Sequence, residues 1–296
     1  MSKHIVEKSI SLSKYPNIKI GFTTANFGKV LPPTAPNVKI MINFASNQSM
    51  TFIELRDPEA NLTLNECEEL AAYAREKCVE VIYAVNVGAL DSRYFEILAR
   101  GIANNLVFDG PKMIRTGGAT GPEFANDEKK LYWTAEDFAQ LVQNINQGAN
   151  TAKMFGLKLS VENAREGLRG DGVNTFGTAE LFEAQGVNAN VGWQLDTANF
   201  FCVSRVANDP NEVKQFFQQN VEKIDYTHLK SSKDGQSQPV LGGSDLSLDT
   251  YLDSLSKNSK VYVAIELPSA ETLEAAYSNH CHSIAYLSNS GMELLK

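Results

Sequence analysis

The chain has 296 residues, 27 basic and 35 acidic, and a net charge of −8. That length fits one large domain with a substantial core, and the acidic balance argues against a protein that coats DNA or an anionic membrane. Cys67, Cys78, Cys202 and Cys281 form no CxxC pair, and no apolar run is long enough to span a bilayer or serve as a leader; a reduced, soluble, cytoplasmic protein is expected.

Residues 1–16 read as a polar lead-in and 17–296 as a single domain. A first strand is expected over Ile18–Phe27, then a rigid Leu-Pro-Pro-Thr-Ala-Pro loop at 31–36 and a helix beginning over Val38–Ala45. Thr51–Asp57 is a second strand, and Cys67, Leu70, Ala71, Ala74 and Cys78 fall on one helical face behind it. Glu80–Gly88 is a third strand, followed by a helix over Asp91–Leu106 with Tyr94, Ile97 and Leu98 on one side. Pro111–Gly117 is a fourth, running into glycine-rich Thr116-Gly-Gly-Ala-Thr-Gly121. Thr134-Ala-Glu-Asp137 resembles a capping box opening a helix with Phe138, Leu141, Val142 and Ile145 inward.

The second half repeats the theme. Leu157–Asn163 is the fifth strand, Phe176–Gln185 a helix, Val191–Phe200 the sixth strand and Asn211–Gln219 a helix. Val221–Lys230 is the seventh strand, and Leu248, Tyr251, Leu252 and Leu255 mark another helix face. Lys260–Pro268 is the eighth strand and Glu271–Leu287 a closing helix. Eight strands alternating with helices predict a single α/β domain, a (β/α)8 TIM barrel, with a doubly wound open sheet as the alternative.

Three strands share one pattern. Leu157–Glu162, Val191–Asp196 and Val261–Glu266 each alternate bulky apolar residues with small or polar ones and end in a carboxylate. Glu162, Asp196 and Glu266 therefore take equivalent inward places at the C-terminal strand ends, where α/β barrels carry their chemistry. On strand seven Ile224, Tyr226 and His228 share a face, although polar Asp225 and Thr227 on the other face fit less cleanly. Each of these positions is a salt bridge or polar cap as readily as a ligand when taken alone. Together, three clustered carboxylates need compensation, and a divalent cation supplies it most simply. Three oxygen ligands and one imidazole suit Mn²⁺, Mg²⁺ or Co²⁺ and are compatible with Zn²⁺.

Ser160-Val-Glu-Asn163, Gln194-Leu-Asp-Thr-Ala-Asn-Phe200, Tyr226-Thr-His-Leu-Lys230 and Ala264-Ile-Glu-Leu-Pro268 resemble motifs of the xylose isomerase-like barrel superfamily. The likeness is to its sugar phosphate isomerase/epimerase branch, and it runs from about Leu157 to Pro268. It implies that Glu162, Asp196, His228 and Glu266 hold the metal and that Glu162 and Glu266 form a catalytic acid/base pair. The implied activity is isomerisation or epimerisation of a small sugar or hydroxy-carbonyl compound. Alternatives are an inosose-type dehydratase, an endonuclease IV-like nuclease, or a barrel that binds metal and sugar without turnover. The nuclease is the poorest fit, since none of His4, His228, His280 and His282 ends an early strand, where that relative holds further zinc ligands. No nucleic-acid or membrane partner is expected, and homo-oligomerisation stays open.

Where several relatives carry a histidine this chain has Asn199, expected to hold a substrate hydroxyl. Arg115, Arg165 and Lys230 fall just beyond strands four, five and seven, placed either for a substrate phosphate or carboxylate or for loop salt bridges. Glu54 reads as a ligand-shell residue or a paired barrel acid. His280 and His282, two apart on the closing helix, cannot share a metal from one face and read as surface residues.

Overall fold

The computed structural model describes residues 11–12, 15–117, 135–163, 187–202, 209–257 and 260–289. Arg165, Thr134, most of the 116–121 glycine-rich run and the helix expected over Phe176–Gln185 lie outside these residues. Eight parallel strands close into a barrel: β1 (Tyr15–Thr23), β2 (Phe52–Arg56), β3 (Glu80–Ala84), β4 (Met113–Thr116), β5 (Lys158–Glu162), β6 (Val191–Asp196), β7 (Ile224–Leu229) and β8 (Val261–Ile265). Each pairs with the next in chain order, and β8 returns to pair with β1, Val261 opposite Ile18. The barrel is closed, and the open-sheet alternative is excluded. Ser11–Leu12 adds a short antiparallel pairing to β1.

Helices follow the strands: α1 (Ala35–Asn47), α2 (Leu64–Glu76), α3 (Tyr94–Asn105), α4 (Ala135–Met154), α5 (Asn199–Cys202), α6 (Pro210–Asn220), α7 (Leu248–Leu255) and α8 (Leu273–Asn289). Cys67, Leu70, Ala71 and Ala74 are buried on α2, whose start is fixed by a Thr63–Glu66 capping box. Cys78 lies past the helix end at positive φ rather than on its face. Leu248, Tyr251, Leu252 and Leu255 are buried on α7 as the spacing predicts. Among the described residues, no helix is long and apolar enough to cross a membrane.

Several expected boundaries differ: the first strand stops at Thr23 instead of Phe27, the third at Ala84 instead of Gly88, and the seventh begins at Ile224 after a 3₁₀ turn over Val221–Lys223. The proline-rich loop ends early: α1 begins at Ala35 with Pro36 in its first turn, where a missing N–H costs nothing. The sixth strand stops at Asp196 instead of Phe200. The Asp196 Oδ1 atom accepts the N–H groups of Ala198 (2.8 Å) and Asn199 (3.0 Å), turning the chain out of the sheet and into α5.

Strand alternation sorts the core into two bodies. Ile53, Leu55, Val81, Tyr83, Leu159, Val161, Leu195, Val263 and Ile265 face outward into the large cluster shared with the helices. The inward positions contribute a smaller apolar plug of Phe52, Ile82, Met113, Tyr226, Tyr262 and Ala264. Gly21 makes room for it, since a Cβ there would lie 2.7 Å from Phe52 Cδ1 and closer still to the Phe52 carbonyl. Below the plug, Glu80 pairs with Lys19 and accepts from Tyr262 Oη at 2.7 Å. Above it, the inward residues are polar and charged.

Candidate metal centre

The next inward position above the plug on successive strands carries Glu54 and Arg56 (β2), Arg115 (β4), Ser160 and Glu162 (β5), Gln194 and Asp196 (β6), and His228 (β7). Glu266 lies one residue past β8 but stays on the ladder, its N–H donating to Leu229 O at 3.0 Å. Glu162, Asp196, His228 and Glu266 each offer one ligand atom, and those atoms all lie within 4.8 Å of one another. The register read from three strand endings and one doubtful strand thus converges on one point. On the outer face of β7 the polarity of Thr227 has a simple cause. Thr227 is buried against α7, where its hydroxyl meets Tyr251 Oη at 2.6 Å and donates to Leu195 O.

His228 sits at the centre of the carboxylates. Its Nδ1 lies 2.9 Å from Glu162 Oε1 and 2.6 Å from Glu266 Oε2, and its Nε2 lies 2.9 Å from Glu54 Oε2. Glu54 is fully buried and also accepts from Thr23 Oγ1 (2.8 Å) and Tyr226 Oη (2.8 Å). It therefore belongs to the outer support of the centre, orienting the imidazole from behind. Gln194 Nε2 approaches the same ring at 2.9 Å.

Three cationic side chains share the compensation that clustered carboxylates require. Arg56 Nη2 binds Glu54 Oε1 (2.8 Å) and Glu266 Oε2 (3.1 Å). Arg115 is paired with Glu162 and donates to Asn86 Oδ1 at 2.7 Å. Lys230 Nζ lies 3.2 Å from Glu266 Oε1 and 3.5 Å from Asp196 Oδ2. Arg115 and Lys230 are thus built into the centre's own ion pairs. Arg56 received no role from sequence, yet it falls in phase with Phe52 and Glu54 on β2, and that alternation was the available signal.

The electrostatics follow from this packing. Burial alone would raise Glu54 and Glu266, but the cations and imidazole beside them hold both well below the usual carboxylate range. Burial likewise opposes ionisation of Glu162, and Arg115 and His228 outweigh it, bringing it to about 2. Asp196 differs: burial, reinforced by Glu266 and Glu162, exceeds the pull of Lys230 and raises it to about 6. Burial would lower His228, but Glu54, Glu266 and Glu162 raise it well above its ordinary value.

The donor set fits a divalent cation. Asp196 uses Oδ1 to cap the turn into α5, while its buried Oδ2 has no hydrogen-bond partner among the described residues. Lys230 Nζ, 3.5 Å from this oxygen, offsets its charge without a hydrogen bond, so its lone pairs stay open to a cation. Hard oxygen donors and one imidazole are the ligands Mn²⁺, Mg²⁺, Co²⁺ or Zn²⁺ accept. Asn199 is buried at the rim, with its Nδ2 donating to Asn163 O at 2.8 Å. His280 departs from the surface reading: it is fully buried, stacked on Phe27 at 5.1 Å between centroids, and 2.9 Å from Asn26 Nδ2. His282 lies on the exposed side of the helix.

Comparison with known proteins places these features in a family. The sequence model described as "Xylose isomerase-like TIM barrel" matches residues 42–282. No curated protein matches the sequence. Among solved structures, a D-allulose 3-epimerase from Methylomonas sp. superposes with a TM-score of 0.67 at 12% identity, covering 93% of this chain and 98% of its own. A xylose isomerase-like TIM barrel protein from Mycobacterium smegmatis in complex with magnesium gives 0.67 at 15% identity, with 95% and 99% covered. The probable 3-DHS dehydratase AsbF from Bacillus anthracis gives 0.66 at 15%, with 92% and 99% covered. At such identities the likeness is one of fold.

Proposed function

The chain belongs to the xylose isomerase-like TIM barrel family, and from that premise we propose that it is a metal-dependent isomerase or epimerase of a small sugar or related hydroxy-carbonyl compound. The observation that carries this reading is the convergence of Glu162, Asp196, His228 and Glu266 at the C-terminal mouth of the barrel. The similarity to a D-allulose 3-epimerase supports the same substrate class. A divalent cation held by these four residues supplies Lewis-acid polarisation of a substrate carbonyl.

The chain's own residues do the rest. Glu162 ends β5 and Glu266 follows the end of β8, three strands apart in a ring of eight, which supports their approaching a substrate from different sides. Both are held ionised by Arg115, Arg56, Lys230 and His228, and an ionised carboxylate is the form that accepts a proton. One glutamate takes the proton from the carbon next to the carbonyl, leaving an enediolate. The second glutamate, after taking a proton from solvent, delivers it to the opposite face and inverts that carbon, while delivery to the neighbouring carbon isomerises the sugar; the first glutamate then gives its proton to solvent. Lys230, whose Nζ lies between Asp196 and Glu266, is assigned in this reading to a substrate oxygen at the rim. Expulsion of a β-hydroxyl after the same proton removal would give dehydration, a reading favoured by the similarity to a probable 3-DHS dehydratase.

Turnover of a ketose panel in D₂O tests the proposal. The expected product carries deuterium at the carbon next to the carbonyl, and Glu162→Gln or Glu266→Gln with metal retained should lose about 10²–10⁴-fold in kcat. The double variant should be little slower than the worse single one. An unlabelled product, or full activity in both metal-loaded single variants, would overturn the acid/base assignment, and a dehydrated product would favour elimination.

A further inference from the structure

A strand ladder stops at the barrel rim, and backbone groups beyond its last pair must find other partners. Two asparagines at this rim solve the problem in the same way. Asn163 follows the last residue of β5, and its own N–H still donates to Gln194 O of β6 at 3.1 Å. Its side chain then continues the pairing upward. Oδ1 accepts the Asp196 N–H at 2.6 Å, and Nδ2 donates to Asp196 O at 3.3 Å. A carboxamide presents one acceptor and a donor side by side, as a backbone peptide does, so it can stand in for the missing residue of the neighbouring strand.

Asn26 repeats the device on the other side of the barrel. It lies in a short 3₁₀ turn, Thr24–Phe27, at the end of β1. Its Nδ2 donates to Ile265 O at 2.9 Å, and its Oδ1 accepts the Leu267 N–H at 2.9 Å. Those are the two residues flanking Glu266, whose own N–H is held by Leu229 of β7. The backbone around Glu266 is therefore gripped from both neighbouring strands. His280 of α8 braces the asparagine from outside through its Nε2, 2.9 Å from Nδ2, and its ring is wedged against Phe27. Thr197 makes a hydroxyl version of the clamp for Lys230, donating to its carbonyl (2.6 Å) and accepting its N–H (3.0 Å).

We propose that Asn26 and Asn163 are positioning residues: their side-chain amides extend the barrel ladder one step past β8 and β6 and so fix Glu266 and Asp196 in metal-binding geometry. The proposal rests on the metal reading of the site given above. Both amides act on backbone atoms and neither needs to touch the ion. Outer-shell groups of this kind typically change metal affinity by about 10–100-fold when removed.

Mn²⁺ titration of the metal-free full-length protein, followed by EPR, tests this. Asn26→Leu and Asn163→Leu keep the approximate side-chain volume and remove both hydrogen bonds. Each is expected to bind Mn²⁺ about 10–100-fold more weakly and to give an altered zero-field splitting, while the far-UV circular dichroism stays that of wild type. Val38→Ala, a core truncation on α1, should lower the melting temperature and leave Mn²⁺ affinity and spectrum unchanged. Should the leucine variants not fold, Asn26→Ser and Asn163→Ser admit a water and are expected to show the same loss. Folded variants that bind Mn²⁺ as tightly as wild type, with the same spectrum, would overturn the proposal and leave the metal site standing. Failure of wild type itself to bind Mn²⁺ would overturn the metal reading, and this proposal with it.

Discussion

Asp196 divides its two oxygens between fold and chemistry, one capping the entry to α5 and the other buried without a hydrogen bond, 3.5 Å from Lys230 Nζ. Asp196→Asn retains an oxygen for the cap and removes the charge, so it should fold normally and lose divalent-ion affinity; Asp196→Ala should also lose the ion and, without the cap, fold with lower stability. The same residue sets a pH dependence. Asp196 is raised to about 6 by burial and neighbouring carboxylates, and His228 well above its ordinary value, so ion binding must displace protons. Apparent Mn²⁺ affinity should therefore strengthen as pH rises through 6 and weaken below it. Isothermal titration in buffers of different ionisation enthalpy would show the proton release; a flat pH profile would contradict the assignment. From sequence, Asp196 and the inward phase of Arg56 are legible through alternation, but the Arg56–Glu266 pair and the clamp on Asp196 are not, because those partners lie on other strands.

At the scale of elements, α8 shows what a local pattern leaves open. Residues two apart on a helix diverge, as the sequence implies for His280 and His282, but which one faces the barrel depends on packing against Phe27 and Asn26 at the end of β1. Burial pushes His280 down to about 3. The folded protein thus leaves this ring neutral where the unfolded chain protonates it, between roughly pH 6.5 and 3. Its contribution to stability is complete above that window and is lost as pH falls through it, by up to about 1.4 kcal/mol per pH unit. His280→Gln keeps an acceptor for Asn26 and removes the titration. Urea unfolding from pH 7 to pH 4 should show a shallower decline for the variant; parallel curves would argue against a buried neutral histidine. The β7 strand teaches the same point, since Thr227 breaks the apolar pattern only because Tyr251 of α7 receives it.

At the scale of the molecule, closure of eight strands is what turns sequence register into a site. Glu162, Asp196 and Glu266 share a phase on strands far apart in the chain, and that phase was readable because each strand alternates strictly. Barrel closure then brings the three strand ends and His228 round one axis. The count of cations in the mouth was not readable, since Arg56, Arg115 and Lys230 become ion-pair partners only once the ring is closed. These cations and a divalent ion act on the same carboxylates, so the account stands or falls on whether the ion binds. Elemental analysis after dialysis against a mixture of Mg²⁺, Mn²⁺, Co²⁺ and Zn²⁺ measures this in wild type and Asp196→Ala. The account predicts one divalent ion per wild-type chain and its loss from a folded Asp196→Ala protein; equal metal content in both would contradict it.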